Sequence, residues 1–333
     1  MILIDALYIN NGGGRVLLEY LIDELLLSQK NVTYLLDSRM QSSFRNIENS
    51  TIIFMKASLY NRYKFYKSNK ATFSTVLCFA DLAPNINIDA KVYTYFHQAL
   101  YLKIPKDVPL KTTCIFKLKG LVFKYLLKNT NYLIVQSKSI KENLNSVFCL
   151  PEDKMLVIPF YPLIFKHTET IRVPNSFIYI ANADPHKNHI RLINAFCKFY
   201  SEYGYGTLTL TVSSNYPAIL KIIVTKQLEG FPLINIGFID RSELNKYYSS
   251  ATYLIYPSLC ESFGLPLIEA IENGCKIIAS DMEYVYAVCE PSITFDPMDE
   301  LSIFEAMCSA NGNAKASILK TNNQIHQLMT LLN

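Results

Sequence analysis

Tyr253 to Asp281 reads YLIYPSLCESFGLPLIEAIENGCKIIASD. The opening Tyr253–Pro257 is an apolar run of strand length, and Lys276–Ser280 is a second one. Between them lie a loop and a short helix. Pro266 suits the first helical turn, where its missing N–H would have no partner anyway. Gly274 suits the left-handed residue that follows a helix end. Strand, loop, helix and strand in this order make the repeating unit of a parallel α/β sheet. The N–H groups near Gly264 and Leu265 then leave a helix N-terminus at the top of that sheet, which is a ready anion site.

Two carboxylates bracket the site. Glu261 stands in the loop and Glu269 in the first turns of the helix, eight positions later. A diphosphate at the helix N-terminus would put a sugar near the loop and a ribose near the helix flank, where each carboxylate accepts hydroxyl hydrogen bonds. Either Glu alone would mean only favourable charge near a helix start. Together, Glu261 to Glu269 resembles the Glu-x7-Glu motif of the retaining glycosyltransferases of family 4. That resemblance implies the GT-B fold, an α/β architecture of two Rossmann-like domains facing each other across a cleft. It also implies that Glu261 lies against the transferred sugar, that Glu269 binds the ribose, and that Phe263, Gly264 and Leu265 line the phosphate and sugar.

Further segments fit the same family. Tyr179 to His189, YIANADPHKNH, follows an apolar strand and resembles the family's Gly-Arg-x-x-x-x-Lys-Asn segment. Lys187 then serves as the diphosphate cation, while Asn182 stands where Arg is expected and Ala181 where Gly is usual. His186 and Arg191 are the candidates to replace the missing guanidinium. His97 ends the strand Lys91–Phe96, and by resemblance it contacts the donor sugar. Asn10 to Gly14, NNGGG, follows the first strand, and Gly12, Gly13 and Gly14 let a backbone approach a ligand closely. The segment reads as a glycine loop ahead of an amphipathic helix over Arg15–Leu27, and is neither a dinucleotide fingerprint nor a P-loop. Ile236 to Asp240, including Phe238, resembles the segment beside the nucleotide base. His97, Lys187 and Glu261 are thus assigned to the chemistry. Gly12, Gly13, Gly14, Asn182, Lys187, Phe238, Phe263, Gly264, Leu265 and Glu269 are assigned to the donor. No Asp-x-Asp pair occurs, Asp281-Met-Glu283 being the nearest approach. A metal-independent reaction without cofactor follows as an expectation, with a UDP- or GDP-sugar as donor and a lipid-linked or oligosaccharide acceptor. Surface polysaccharide or lipopolysaccharide assembly is the setting that the resemblance implies.

The rest of the chain is consistent with two such units. Of 333 residues, 50% are hydrophobic and 18% charged, which supports a large core and excludes disorder. Strands are expected at Met1–Tyr8, Asn31–Leu36, Thr51–Met55, Ser74–Phe79, Lys91–Phe96 and Tyr132–Gln136. After a boundary in Val157–Pro162 they recur at Phe177–Ala181, Thr207–Val212, Ile234–Gly237 and Ile293–Phe295. The expected domains are 1–160 for the acceptor, 161–316 for the nucleotide sugar, and 317–333 as a helix packing back on the first. Irregular chain is expected over 163–174. Residues 1–160 carry 20 Lys/Arg against 12 Asp/Glu, net +8, and the remainder 12 against 16, net −4. The basic half suits an anionic surface, and no nucleic-acid reading module accompanies it. The helix Thr112–Lys128 places Lys117, Lys124 and Lys128 on one face among apolar residues. It is either a core helix with a solvated lysine face or a contact with the inner leaflet, where each lysine contributes about 1 kcal/mol. The eight cysteines show no Cys-x-x-Cys, the chain start does not read as a signal peptide, and no apolar run reaches about 18 residues. A cytoplasmic protein, peripheral at the inner membrane face, is therefore expected. The rival expectations are a non-catalytic subunit of the same fold and a sugar-nucleotide epimerase.

Overall fold

The computed structural model describes residues 1–45, 47, 50–163, 171–310 and 314–333. The chain divides into two compact units. One comprises residues 1–103, 111–162 and 322–333, the other residues 104–110 and 163–321. The irregular stretch expected at 163–174 falls largely outside the described residues, at 164–170.

The first unit is built on seven parallel strands: β1 (Ile2–Ala6), β2 (Val32–Asp37), β3 (Thr51–Met55), β4 (Thr75–Cys78), β5 (Lys91–Tyr95), β6 (Tyr132–Val135) and β7 (Met155–Val157). Their order is β3-β2-β1-β4-β5-β6-β7. The strands are near-continuous apolar runs because helices cover both faces of such a sheet, and every residue of β1 and β2 is buried. The covering helices are α1 (Gly12–Leu27), α2 (Leu59–Ser68), α3 (Leu110–Leu126) and α4 (Lys138–Phe148). Strand order reverses between β1 and β4. In open sheets of this kind ligands bind outside the carboxyl ends at that reversal. The chain leaves those two ends through the glycines at the start of α1 and through the bend at Asp81.

Two expectations change here. Gly12–Gly14 are not a loop but the first turn of α1, entered through Gly12 at φ +62. Glycine is a poor helix former, yet the buried Leu17, Leu18, Leu21, Ile22 and Leu25 hold the helix by packing. Nor is α3 an ordinary core helix. It buries only Gly120, Phe123 and Leu126, while Leu118 and Leu121 are 64% and 65% exposed and Ile115 and Tyr125 are exposed too. The apolar residues outnumber the positions that the sheet can cover.

The second unit repeats the plan with β8 (Val173–Tyr179), β9 (Thr207–Leu210), β10 (Leu233–Asn235), β11 (Ala251–Tyr256), β12 (Lys276–Ser280), the short β13 (Cys289–Glu290) and β14 (Ile293–Phe295). The parallel order is β10-β9-β8-β11-β12-β14, reversing between β8 and β11. Its helices are α5 (His189–Tyr203), α6 (Pro217–Leu228), α7 (Arg241–Ser250), α8 (Leu265–Glu272), α9 (Glu283–Val288) and α10 (Glu300–Cys308). The tail is not one weak helix from 317. Ile318–Leu319 forms β15, antiparallel to β13, because its backbone finds ladder partners there. Residues Ile325–Leu331 then form α11, which is part of the first unit. Asn323 donates to Tyr20 Oη at 2.9 Å and to the Tyr161 carbonyl at 2.8 Å, tying this segment down. Among the described residues no disulfide forms, and five of the eight cysteines are buried.

Candidate active site

In the second unit the loops leaving β8 and β11 flank the reversal of strand order, and each carries a charged side chain. After β8 the chain makes a tight turn at Pro185–Lys187. Asn188 follows in the left-handed region at φ +62, and its side-chain amide donates to the carbonyls of Pro257 (3.2 Å) and Pro297 (2.7 Å). Asparagine tolerates that conformation better than most residues and supplies the donors as well. Leu259 N–H donates to the His186 carbonyl at 2.8 Å, so the turn is stitched to the loop after β11.

This stitching brings Lys187 onto Glu261, with Nζ 2.5 Å from Oε1. Tyr256 Oη (2.9 Å) and Ser258 Oγ (2.6 Å) donate to the same oxygen. Burial alone would raise the Glu261 pKa, but the charge and hydrogen bond of Lys187, the Ser258 hydroxyl and His186 outweigh it, so the carboxyl sits below its ordinary range. Glu261 is therefore an ionised carboxylate beside an ammonium group, held by two hydroxyls. Burial and then the charge of Lys187 lower the pKa of His186, and Arg191 is engaged by Asp107 (2.6 Å) and Asn188 (3.0 Å). Neither is presented as a second free cation. Asn182 is exposed.

Gly264 precedes α8 at φ +88, and Pro266 lies in the first turn, so the helix starts without a side-chain cap. Phe263 and Leu265 are buried at 3% and 9% exposure, which leaves backbone as what this turn presents. Glu269, on the same helix, belongs to a separate knot. Arg241 donates to its Oε1 (3.1 Å) and Tyr248 Oη to its Oε2 (3.1 Å). Phe238, in the turn after β10, is 79% exposed.

In the first unit, His97 follows β5 and lines a pocket of about 500 Å³ together with Asn11, Gly14 and Asp81. A Cβ on Gly14 would crowd Ile9 Cδ1 at 3.2 Å and reach ordinary contact with His97 Cε1 at 3.5 Å, so the start of α1 lies close to both side chains. Gly12 would meet nothing, and its role is the turn itself. Sequence reasoning missed Ser258 and Tyr256, although both lie just before Glu261. It also missed Arg241, Tyr248 and Asp81, which no local pattern marks.

Comparison with known proteins adds four findings. Residues 164–291 match the family model described as glycosyl transferases group 1. The chain is 25% identical over 189 residues to the O-antigen chain mannosyltransferase RfbU of Salmonella typhimurium, covering 54% of this chain and 52% of that protein. The chain thus spans about half the length of this curated relative. In fold it is similar to sucrose-phosphate synthase from Thermosynechococcus elongatus, at TM-score 0.74, 17% identity and coverage of 100% and 94% of the two chains. It is also similar to Anabaena HepE, solved with UDP and glucose, at TM-score 0.69, 11% identity and coverage of 94% and 90%. The shared architecture is GT-B.

Proposed function

From a chain of GT-B fold whose residues 164–291 match the family model of the group 1 glycosyl transferases, we propose a retaining glycosyltransferase. It moves a hexose-type sugar from a UDP- or GDP-sugar to a lipid-linked or glycan acceptor in surface polysaccharide or lipopolysaccharide assembly. The observation that carries this proposal is the Lys187–Glu261 pair, set between the ends of β8 and β11 beside the N-terminus of α8. Donor diphosphate binds the first-turn amides of α8 and takes Lys187 as its cation, which stabilises charge on the departing nucleotide. Glu261, fixed by Ser258 and Tyr256, accepts from sugar hydroxyls, and Glu269 accepts from the ribose. The side chain nearest the sugar is a carboxylate already paired with Lys187, so no free protein nucleophile is assigned. The acceptor oxygen attacks from the face that the diphosphate leaves, and a phosphate oxygen takes its proton. Lys187 and the α8 amides carry the electrostatic load, and no metal ion is assigned a role. The mannosyltransferase name of the Salmonella relative favours mannose as the sugar.

The exposed side chains of α3 support a membrane-facing acceptor. Ile115, Leu121 and Tyr125 stand exposed beside Lys117, Lys124 and Lys128, a composition that suits an anionic leaflet. Among the described residues no helix is long and apolar enough to cross a membrane.

The deciding experiment is thermal stabilisation by UDP- and GDP-sugars, with sugar transfer measured in parallel, for the wild type and Lys187→Ala. A shift with one nucleotide that disappears in the variant, accompanied by loss of turnover, is expected. Near-wild-type turnover by Lys187→Ala would defeat the assignment.

A further inference from the structure

Asp81 is a buried carboxylate just past β4, with its backbone in the left-handed region at φ +64. Its Oδ1 accepts the main-chain N–H of His97 at 2.7 Å, and its Oδ2 lies 3.6 Å from His97 Nε2. The bend that carries it is pinned from behind. Arg62, 1% exposed, donates to the carbonyls of Leu82 (2.7 Å) and Ala83 (2.6 Å) and pairs with Asp5 of β1 at 2.8 Å. Asp81 N–H in turn donates to the Tyr95 carbonyl at the end of β5 (3.2 Å). Asp81 and His97 share one pocket, which Leu59, Leu118 and Val122 also line. A bend held from two strands and a buried arginine keeps a carboxylate at one edge of an imidazole, whose Cε1 lies near Gly14 at the start of α1.

We propose that Asp81 is a positioning residue that sets the His97 imidazole to meet a sugar hydroxyl in this pocket. The carboxylate favours the proton on Nε2 and leaves Nδ1 as the hydrogen-bond acceptor. This assignment rests on the glycosyltransferase function proposed above. A residue needed only for the left-handed bend would be served as well by Gly or Asn, and those two replacements separate the cases. Asp81→Asn keeps a neutral acceptor for the His97 N–H and tolerates the backbone, but removes the charge beside Nε2. Asp81→Gly relaxes the backbone and removes both contacts.

Melting temperature is measured for each variant, together with kcat and KM for release of sugar from GDP-mannose and from UDP-glucose. The same measurements are made in a His97→Ala background. Asp81→Asn is expected to melt close to the wild type, and both variants are expected to lose at least tenfold in kcat with KM changed less than twofold. In His97→Ala the second substitution is expected to cost nothing more. Wild-type kcat in either variant, or an undiminished further loss in His97→Ala, overturns the assignment of Asp81. A wild type that neither turns over nor is stabilised by any UDP- or GDP-sugar defeats the proposed function first, and this assignment with it.

Discussion

Replacing Glu261 by Gln is expected to tighten the binding of a bare nucleoside diphosphate while removing sugar transfer. Lys187 already has a carboxylate partner at 2.5 Å, with the two side chains only 17% and 13% exposed. A diphosphate arriving at Lys187 must share or displace that partner, so it gains only the difference between the two attractions. A hydrogen bond to a charged group contributes about 1.5–3 kcal/mol net. The Gln amide oxygen keeps a neutral acceptor for Lys187 and Ser258 and recovers part of this. About 1–2 kcal/mol is left to appear as tighter binding, roughly 5- to 30-fold. Removing a negative charge from beside the phosphates acts in the same direction. Isothermal titration of UDP and GDP into the wild type, Glu261→Gln and Lys187→Ala reads this directly, with transfer assayed alongside. If Glu261→Gln binds neither diphosphate more tightly while Lys187→Ala still weakens one, the carboxylate does not compete with the donor and the proposed exchange of partners is wrong.

Three further outcomes follow from the structure. His189 is buried with neither ring nitrogen hydrogen-bonded, and burial, then the charges of Lys187 and His186, lower its pKa to about 3. The unfolded chain takes up the proton first, so stability present above pH 6.5 falls as the pH drops towards 3, by about 1.4 kcal/mol per unit for this one group. His189→Leu should remove that much of the slope in urea denaturation between pH 6 and pH 5, and an unchanged slope would refute it. Arg62→Met strands Asp5 in the core and is expected to cost about 3–5 kcal/mol, with much of the loss recovered when Asp5→Leu is added. Additive losses in the double variant would argue against the pairing. Gly264→Ala puts a Cβ 3.1 Å from Leu267 Cδ1 at φ +88 and should cost about 1–3 kcal/mol, with weaker nucleotide binding as the first turn of α8 shifts. A variant as stable as the wild type would remove glycine's conformational role there.

The fold was legible because parallel strands covered on both faces read as apolar runs, and β12 occupies the residues so expected, Lys276–Ser280. Turn chemistry was legible for a similar reason. Pro266 does stand in the first turn of α8, and Gly274 does adopt positive φ after it. The glycines at 12–14 misled, since local propensity argues for a loop while the packing of the following leucines extends the helix back through them. Burial of α3 was equally hidden, because the periodicity of a helix shows which residues share a face but not how much surface the rest of the chain has left to cover it.

Local chemistry along the chain determined the strands, the uncapped helix start behind Gly264, and the residue types placed around it, because those depend on neighbours within a few positions. Tertiary structure alone decided the partners. Lys187 meets Glu261 across 74 positions, Arg241 meets Glu269 across 28, and Asp81 meets His97 across 16. Arg191, a plausible substitute for the missing guanidinium by its place in the sequence, is instead committed to Asp107 across 84 positions. Groups separated so far along the chain are brought within 4 Å only by the order of strands in a sheet, and that order, fixed by how helices pack on its two faces, leaves no mark in any short stretch of residues.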